Sequence, residues 1–79
     1  MNGDVRKKCP MCGKTHAVVL TDEEVVKYKR YLQGAEKIQE LFPELGVVER
    51  EFLMTGYCYG CQALLFGKRN KPNLKVWRE

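Results

Sequence analysis

The chain has no serine, a single histidine and no long apolar run. Without serine, a Ser-His-Asp nucleophile cannot be assembled. With one histidine, His16, a Cys₂His₂ finger lacks its second imidazole. The zinc-deaminase signature fails as well. It needs His-x-Glu ahead of Pro-Cys-x-x-Cys, but Ala17 and Val18 follow His16, and no later cysteine pair is preceded by proline. The longest uncharged apolar stretches resemble Ala17-Val18-Val19-Leu20, far short of the roughly 18 residues of a membrane span, so no membrane partner is expected. No hydrophobic signal-peptide core follows Asp4 to Lys8 before the first cysteine, which predicts a cytoplasmic location.

What is present fits one small α+β domain across residues 1–79. A hydrophobic fraction of 44% and a charged fraction of 30% are globular values, and a chain this short has little apolar surface for a second core. The formal net charge of +4 is unevenly spread. Arg6, Lys7, Lys8 and Lys14 against Asp4 give residues 1–16 a charge of +3. Lys68, Arg69, Lys71, Lys75 and Arg78 against Glu79 give residues 67–79 a charge of +4, while residues 17–66 carry −3.

The acidic middle reads as a strand followed by helices. Thr15 to Leu20 is β-branched and apolar and predicts a strand. Thr21 and Glu24 form a capping-box pattern for a helix over 22–32, with Val25, Tyr28 and Leu32 on the buried face and Gly34 as its stop. A short helix is expected from Ala35 to Leu41, ended by Pro43. Another is expected from Val47 to Met54, burying Val48 and Phe52 and stopped at Gly56. Gln62 to Phe66 predicts one further apolar turn, Gly67 to Asn73 a loop, and Leu74 to Trp77 an edge strand.

The strongest signal is the cysteines. All four fall in two Cys-x-x-Cys pairs, Cys9-Pro10-Met11-Cys12 and Cys58-Tyr59-Gly60-Cys61. Two intervening residues let both sulfurs of a pair reach one ion, and two pairs supply four thiolates for a closed tetrahedral site. Gly13 and Gly60 are expected where the chain turns tightly around the sulfurs. The spacing favours one structural Zn²⁺ on Cys9, Cys12, Cys58 and Cys61. It is favoured over two disulfides, which a reducing cytosol opposes, and over a thioredoxin-like pair, which needs one Cys-x-x-Cys in a βαβ setting. Iron takes the same ligands, and His16 is the one possible substitute ligand. A closed four-thiolate site offers no open position to substrate, so neither an enzyme nor a small-molecule substrate is expected.

The pattern Gly34…Ile38-Gln39…Phe42-Pro43…Leu45…Glu49-Arg50-Glu51…Leu53…Gly56…Cys58…Cys61…Phe66 is similar to a group of small, uncharacterised zinc-ribbon-like proteins of bacteria and their phages. The resemblance covers about Cys9 to Phe66. It implies zinc-ribbon-like knuckles at 9–12 and 58–61 separated by a two- to three-helix insert over 21–56, with the basic extension 67–79 outside the shared pattern.

A metal joining the two knuckles also draws the basic ends together. Arg6, Lys7, Lys8, Lys14, Lys68, Arg69 and Lys71 are candidate nucleic-acid contacts, with Tyr57, Tyr59 and Trp77 as stacking groups. The expected function is a non-enzymatic zinc module that binds nucleic acid or a nucleic-acid-handling complex. The alternative is a protein-interaction or inhibitor module working through the acidic insert, where Gln39, Glu49, Arg50 and Glu51 form a partner surface, or else a solvated ion-pair cluster.

Overall fold

A computed structural model of the chain describes residues 3–34, 36–68 and 70–78. The elements run β1 (Gly3–Lys8), β2 (Thr15–Leu20), α1 (Asp22–Leu32), α2 (Ile38–Leu41), α3 (Val47–Thr55), α4 (Tyr59–Phe66) and β3 (Trp77–Arg78). The three strands make one antiparallel sheet in the order β1-β2-β3. Among the described residues no helix is long and apolar enough to cross a membrane.

β2 is the central strand, and its apolar run is buried accordingly: Ala17, Val18 and Leu20 are almost fully covered. β1 is an edge strand that composition did not reveal, because Val5 is the only large apolar residue among its six. It exists because β2 offers a ladder, in register from Gly3↔Leu20 to Lys8↔Thr15. Asp4, Arg6 and Lys8 point outward, an edge charged in a way that discourages further pairing. β3 pairs only through Trp77 and Arg78, extended by a hydrogen bond from the Val19 N–H to the Val76 carbonyl of 2.7 Å. The expected strand from Leu74 is a turn, closed by the Val76 N–H on the Asn73 carbonyl, and Leu74 is left exposed.

α1 starts at the expected capping box. The Thr21 N–H donates to Glu24 Oε1 (2.9 Å) and the Glu24 N–H donates to Thr21 Oγ1 (3.3 Å). Val25, Tyr28 and Tyr31 pack against the core. Leu32, expected among them, is 63% exposed: it lines an open hollow of about 380 Å³ between β1 and α1, beyond what the sheet covers.

α2 is one turn; its expected start at Ala35 lies outside the described residues. Ile38, Leu41 and Phe42 bury their side chains before Pro43 turns the chain. α3 buries Val48, Phe52 and Leu53 and ends where Gly56 adopts φ +87°, donating its N–H to the Phe52 carbonyl. Only glycine takes that conformation without strain. α4 is longer than the single turn expected, because the helix begins directly after Cys58 and includes Cys61.

Candidate metal centre

The first cysteine pair sits in the loop at the tip of the β1–β2 hairpin. The Cys9 N–H donates to the Lys14 carbonyl and the Gly13 N–H donates back to the Cys9 carbonyl, both at 2.9 Å, with Gly13 at φ +76° as its turn requires. The second pair is built by a helix start: Cys58 is the N-cap of α4 and Cys61 lies in its first turn. Gly60 is helical, so the tight turn expected there does not occur, and a Cβ at that position would meet nothing within 4 Å.

The four sulfurs lie within 4.8 Å of one another, a group that could hold a metal ion, and none is disulfide-bonded. Cys12 Sγ and Cys58 Sγ, from opposite knuckles, are 3.9 Å apart. The edge of a tetrahedron with bonds of about 2.3 Å is about 3.8 Å, so the spacing fits a tetrathiolate site. His16 is not part of the group. Cys9, Cys58 and Cys61 are buried while Cys12 is exposed, so the site is walled by protein on three ligands and meets water on the fourth.

Packed this closely, the thiols shift one another's titration. Burial pushes the Cys9 thiol up, but N–H groups of Cys12, Cys58 and Met11 and the Cys61 side chain stabilise its thiolate, and the pKa falls to about 6. Burial raises Cys61, and the neighbouring Cys58, Cys9 and Cys12 sulfurs raise it further, to about 12. Cys58 is likewise raised, chiefly by burial. Like-charged sulfurs this close oppose one another's ionisation, and a cation bound among them would favour the thiolate form of all four.

The remaining candidate residues divide. Lys14 shares a hollow of about 240 Å³ with Cys12, His16, Tyr59 and Gly60 beside the cluster, and Lys68 and Lys71 line an adjoining one with Tyr59. Arg6 and Lys7 line the separate hollow beside α1, and Lys8 is exposed on β1. Arg69 lies outside the described residues. Of the aromatics, Trp77 is 6% exposed and is a core residue, while Tyr57 and Tyr59 are both half-buried and pack partly against the core; of these two, Tyr59 lines the hollows beside the cluster.

Glu49, expected on a partner surface, is a core residue instead. It is 1% exposed, and its Oε2 accepts hydrogen bonds from Trp77 Nε1 (2.7 Å) and the Asn73 N–H (3.0 Å). A carboxylate in the first turn of α3 is thus buried because it fastens the C-terminal segment. Arg50 Nη1 donates to the Phe42 carbonyl, and the ion pairs found among the described residues lie elsewhere: Asp4–Arg6, Glu44–Lys27 and Glu36–Arg30. Gln39 is exposed and Glu51 half-buried.

Two buried polar residues carry roles the sequence did not announce. Gln62 Nε2 donates to the carbonyls of Val48 and Tyr57, both at 2.9 Å, tying α3 and the approach to Cys58 onto α4. His16 is 5% exposed with neither ring nitrogen hydrogen-bonded, and its ring lies edge-on to those of Tyr59 and Trp77. Compared with known protein families, curated proteins and solved structures, the chain gives no match.

Proposed function

We propose that this chain is a structural-zinc module, without catalytic activity of its own, that binds nucleic acid. Zinc is the assigned metal because two Cys-x-x-Cys pairs converging on one point are its most common closed ligand set, and the resemblance to zinc-ribbon-like proteins belongs to the same reading. All four thiols are gathered in that cluster and the chain has no serine, so neither a free cysteine nor a serine nucleophile is at hand.

The observation that carries the nucleic-acid reading is the position of Lys14, Lys68 and Lys71. They line adjoining hollows at the cysteine cluster, and none has an ion-pair partner among the described residues. Unpaired cations gathered at one place suit a phosphate backbone. The net charge alone is a weak argument, since four thiolates and one Zn²⁺ lower +4 to about +2. The alternative, an interaction module working through the acidic insert, has less support because Glu49 is inside the core.

The test is the salt dependence of nucleic-acid binding by the zinc-loaded protein. Affinity is expected to fall steeply as salt rises from about 50 to 200 mM, and Lys14, Lys68 and Lys71 changed together to glutamine flatten the slope. No binding to DNA or RNA at about 50 mM salt would refute the proposal.

A further inference from the structure

Three hollows in the surface share one side chain. Tyr59 lines the hollow beside the cysteine cluster with Lys14 and His16 (about 240 Å³). It lines a second with Lys68, Lys71 and Pro72 (about 300 Å³), and a third with Leu74, Trp77 and Arg78 (about 200 Å³). Among the described residues that line them are four cations and no carboxylate, and the first is also lined by Cys12, Cys58 and Cys61.

None of the four cations has an ion-pair partner among the described residues, and Arg78 uses only Nη1, on the carbonyls of Lys75 and Trp77. The ring at the centre is held in place. Tyr59 meets Trp77 edge-to-face (centroids 5.1 Å apart, 78° between planes) and His16 similarly (6.3 Å, 71°). Trp77 is in turn fixed by Phe52 at 4.8 Å and by Glu49. A half-buried aromatic ring held by its aromatic neighbours, with cations lining the hollows it borders, is pre-ordered to receive a flat apolar group that belongs to a polyanion.

We infer that the Tyr59 groove binds single-stranded nucleic acid, one unpaired base stacking on Tyr59 while Lys14, Lys68, Lys71 and Arg78 hold the flanking phosphates. The inference rests on the nucleic-acid reading above and deepens it from a charge argument to a named site and strand state. A duplex is excluded from this mode because its bases are already stacked on one another and cannot reach a ring in a concavity. A purely acidic polypeptide such as polyglutamate would satisfy the cations but has no flat group to stack on the ring.

The experiment is fluorescence anisotropy of the zinc-loaded protein with labelled oligo(dT) and oligo(U) of about 15 nucleotides, and with a duplex of equal length. The single strands are expected to bind at least about tenfold more tightly than the duplex. Tyr59→Ala is expected to lose about tenfold or more, the size of one stacked base, while Tyr59→Phe stays near wild type. Zinc stoichiometry and near-UV dichroism check that each variant is folded. Should Tyr59→Ala fail to fold, Lys68→Gln, Lys71→Gln and Arg78→Gln together carry the test, because all three are exposed; they lower the salt slope by about 2. Retained binding in folded Tyr59→Ala, with loss instead in Arg6→Gln/Lys7→Gln, overturns the groove but leaves nucleic-acid binding standing. Equal affinity for duplex, or displacement by polyglutamate as effective as by oligo(dT), also overturns it. No binding by the wild type removes both.

Discussion

Glu49 Oε2 and Trp77 Nε1 are 2.7 Å apart inside the core, across 28 positions of sequence. The carboxylate sits at the start of α3 and the indole at the last strand, so this bond fastens the C-terminal segment to the helical layer. Because the same oxygen also takes the Asn73 N–H, both ends of the turn leading into β3 depend on it. Removing the carboxylate strands a buried donor, the Trp77 indole N–H, and a part-buried one, the Asn73 N–H.

Glu49→Ala is therefore expected to cost about 3 kcal/mol, the range for losing charge-assisted hydrogen bonds and leaving their donors unpaired. Trp77→Phe removes only one of the two bonds and is expected to cost about 1–3 kcal/mol. Urea denaturation of the metal-loaded variants and the double mutant gives the coupling, expected above about 1 kcal/mol. A coupling near zero would mean that the pair does not persist in solution.

Gly46 precedes α3, and a Cβ there would collide with Glu49 Oε1. A free carboxylate would swing aside, but this one is held through Oε2 by Trp77 and Asn73. Gly46→Ala is thus expected to destabilise by about 1–2 kcal/mol in the wild type. In the Glu49→Ala background the penalty is expected to vanish. An equal cost in both backgrounds would place its origin in the backbone instead.

Chelation is expected to unfold the domain. Structural zinc in small modules contributes on the order of 10–16 kcal/mol near neutral pH, as much as or more than the net stability of about 4–12 kcal/mol expected of a chain of this size. Each single Cys→Ser change at Cys9, Cys12, Cys58 or Cys61 behaves like partial chelation. Near-UV dichroism during titration with a chelator measures this, and a native spectrum after complete metal removal contradicts it.

Metal affinity is expected to weaken as pH falls. In the metal-free cluster Cys61, at about 12, and Cys58, raised above its usual value, hold their protons at neutral pH, whereas Cys9, at about 6, has already lost its own. Binding must expel at least two protons, so the association constant drops by roughly a hundredfold per unit of pH lost. Below about 6 Cys9 adds one further proton and the dependence steepens. Competition with a chelator of known protonation between pH 5.5 and about 8 reads the slope; a slope below about one proton contradicts the assignment.

The local signals in the sequence were the accurate ones. The Thr21/Glu24 box marked the start of α1, Gly56 marked the end of α3, and β2 followed from its β-branched apolar run. The two Cys-x-x-Cys pairs pointed to the residues that the fold brings together. What depends on distant partners was not legible. β1 is a strand because β2 lies beside it, Leu32 is exposed because the sheet ends before it, and Glu49 is buried because Trp77 needs an acceptor. Sequence periodicity records which residues are apolar, but a buried carboxylate carries no periodic mark. The basic residues were legible as cations but not in their grouping, since Arg6 and Lys7 face one hollow while Arg78 joins another.

The hairpin register has a consequence for the order of assembly. Cys9 and Cys12 lie between strands that pair residue for residue, so a microsecond local event brings them together. Cys58 is 46 positions beyond Cys12 and reaches it only by closing the whole helical insert, an entropic cost of about 3 kcal/mol. We therefore expect refolding to be sequential, with the hairpin capturing the ion on two sulfurs and the α3–α4 segment completing the set. Stopped-flow mixing with Co²⁺ would show a two-thiolate absorption band that precedes the four-thiolate one, and simultaneous appearance of both would exclude that order. On this view the metal acts during folding as a template that waits on an early hairpin for its remaining ligands.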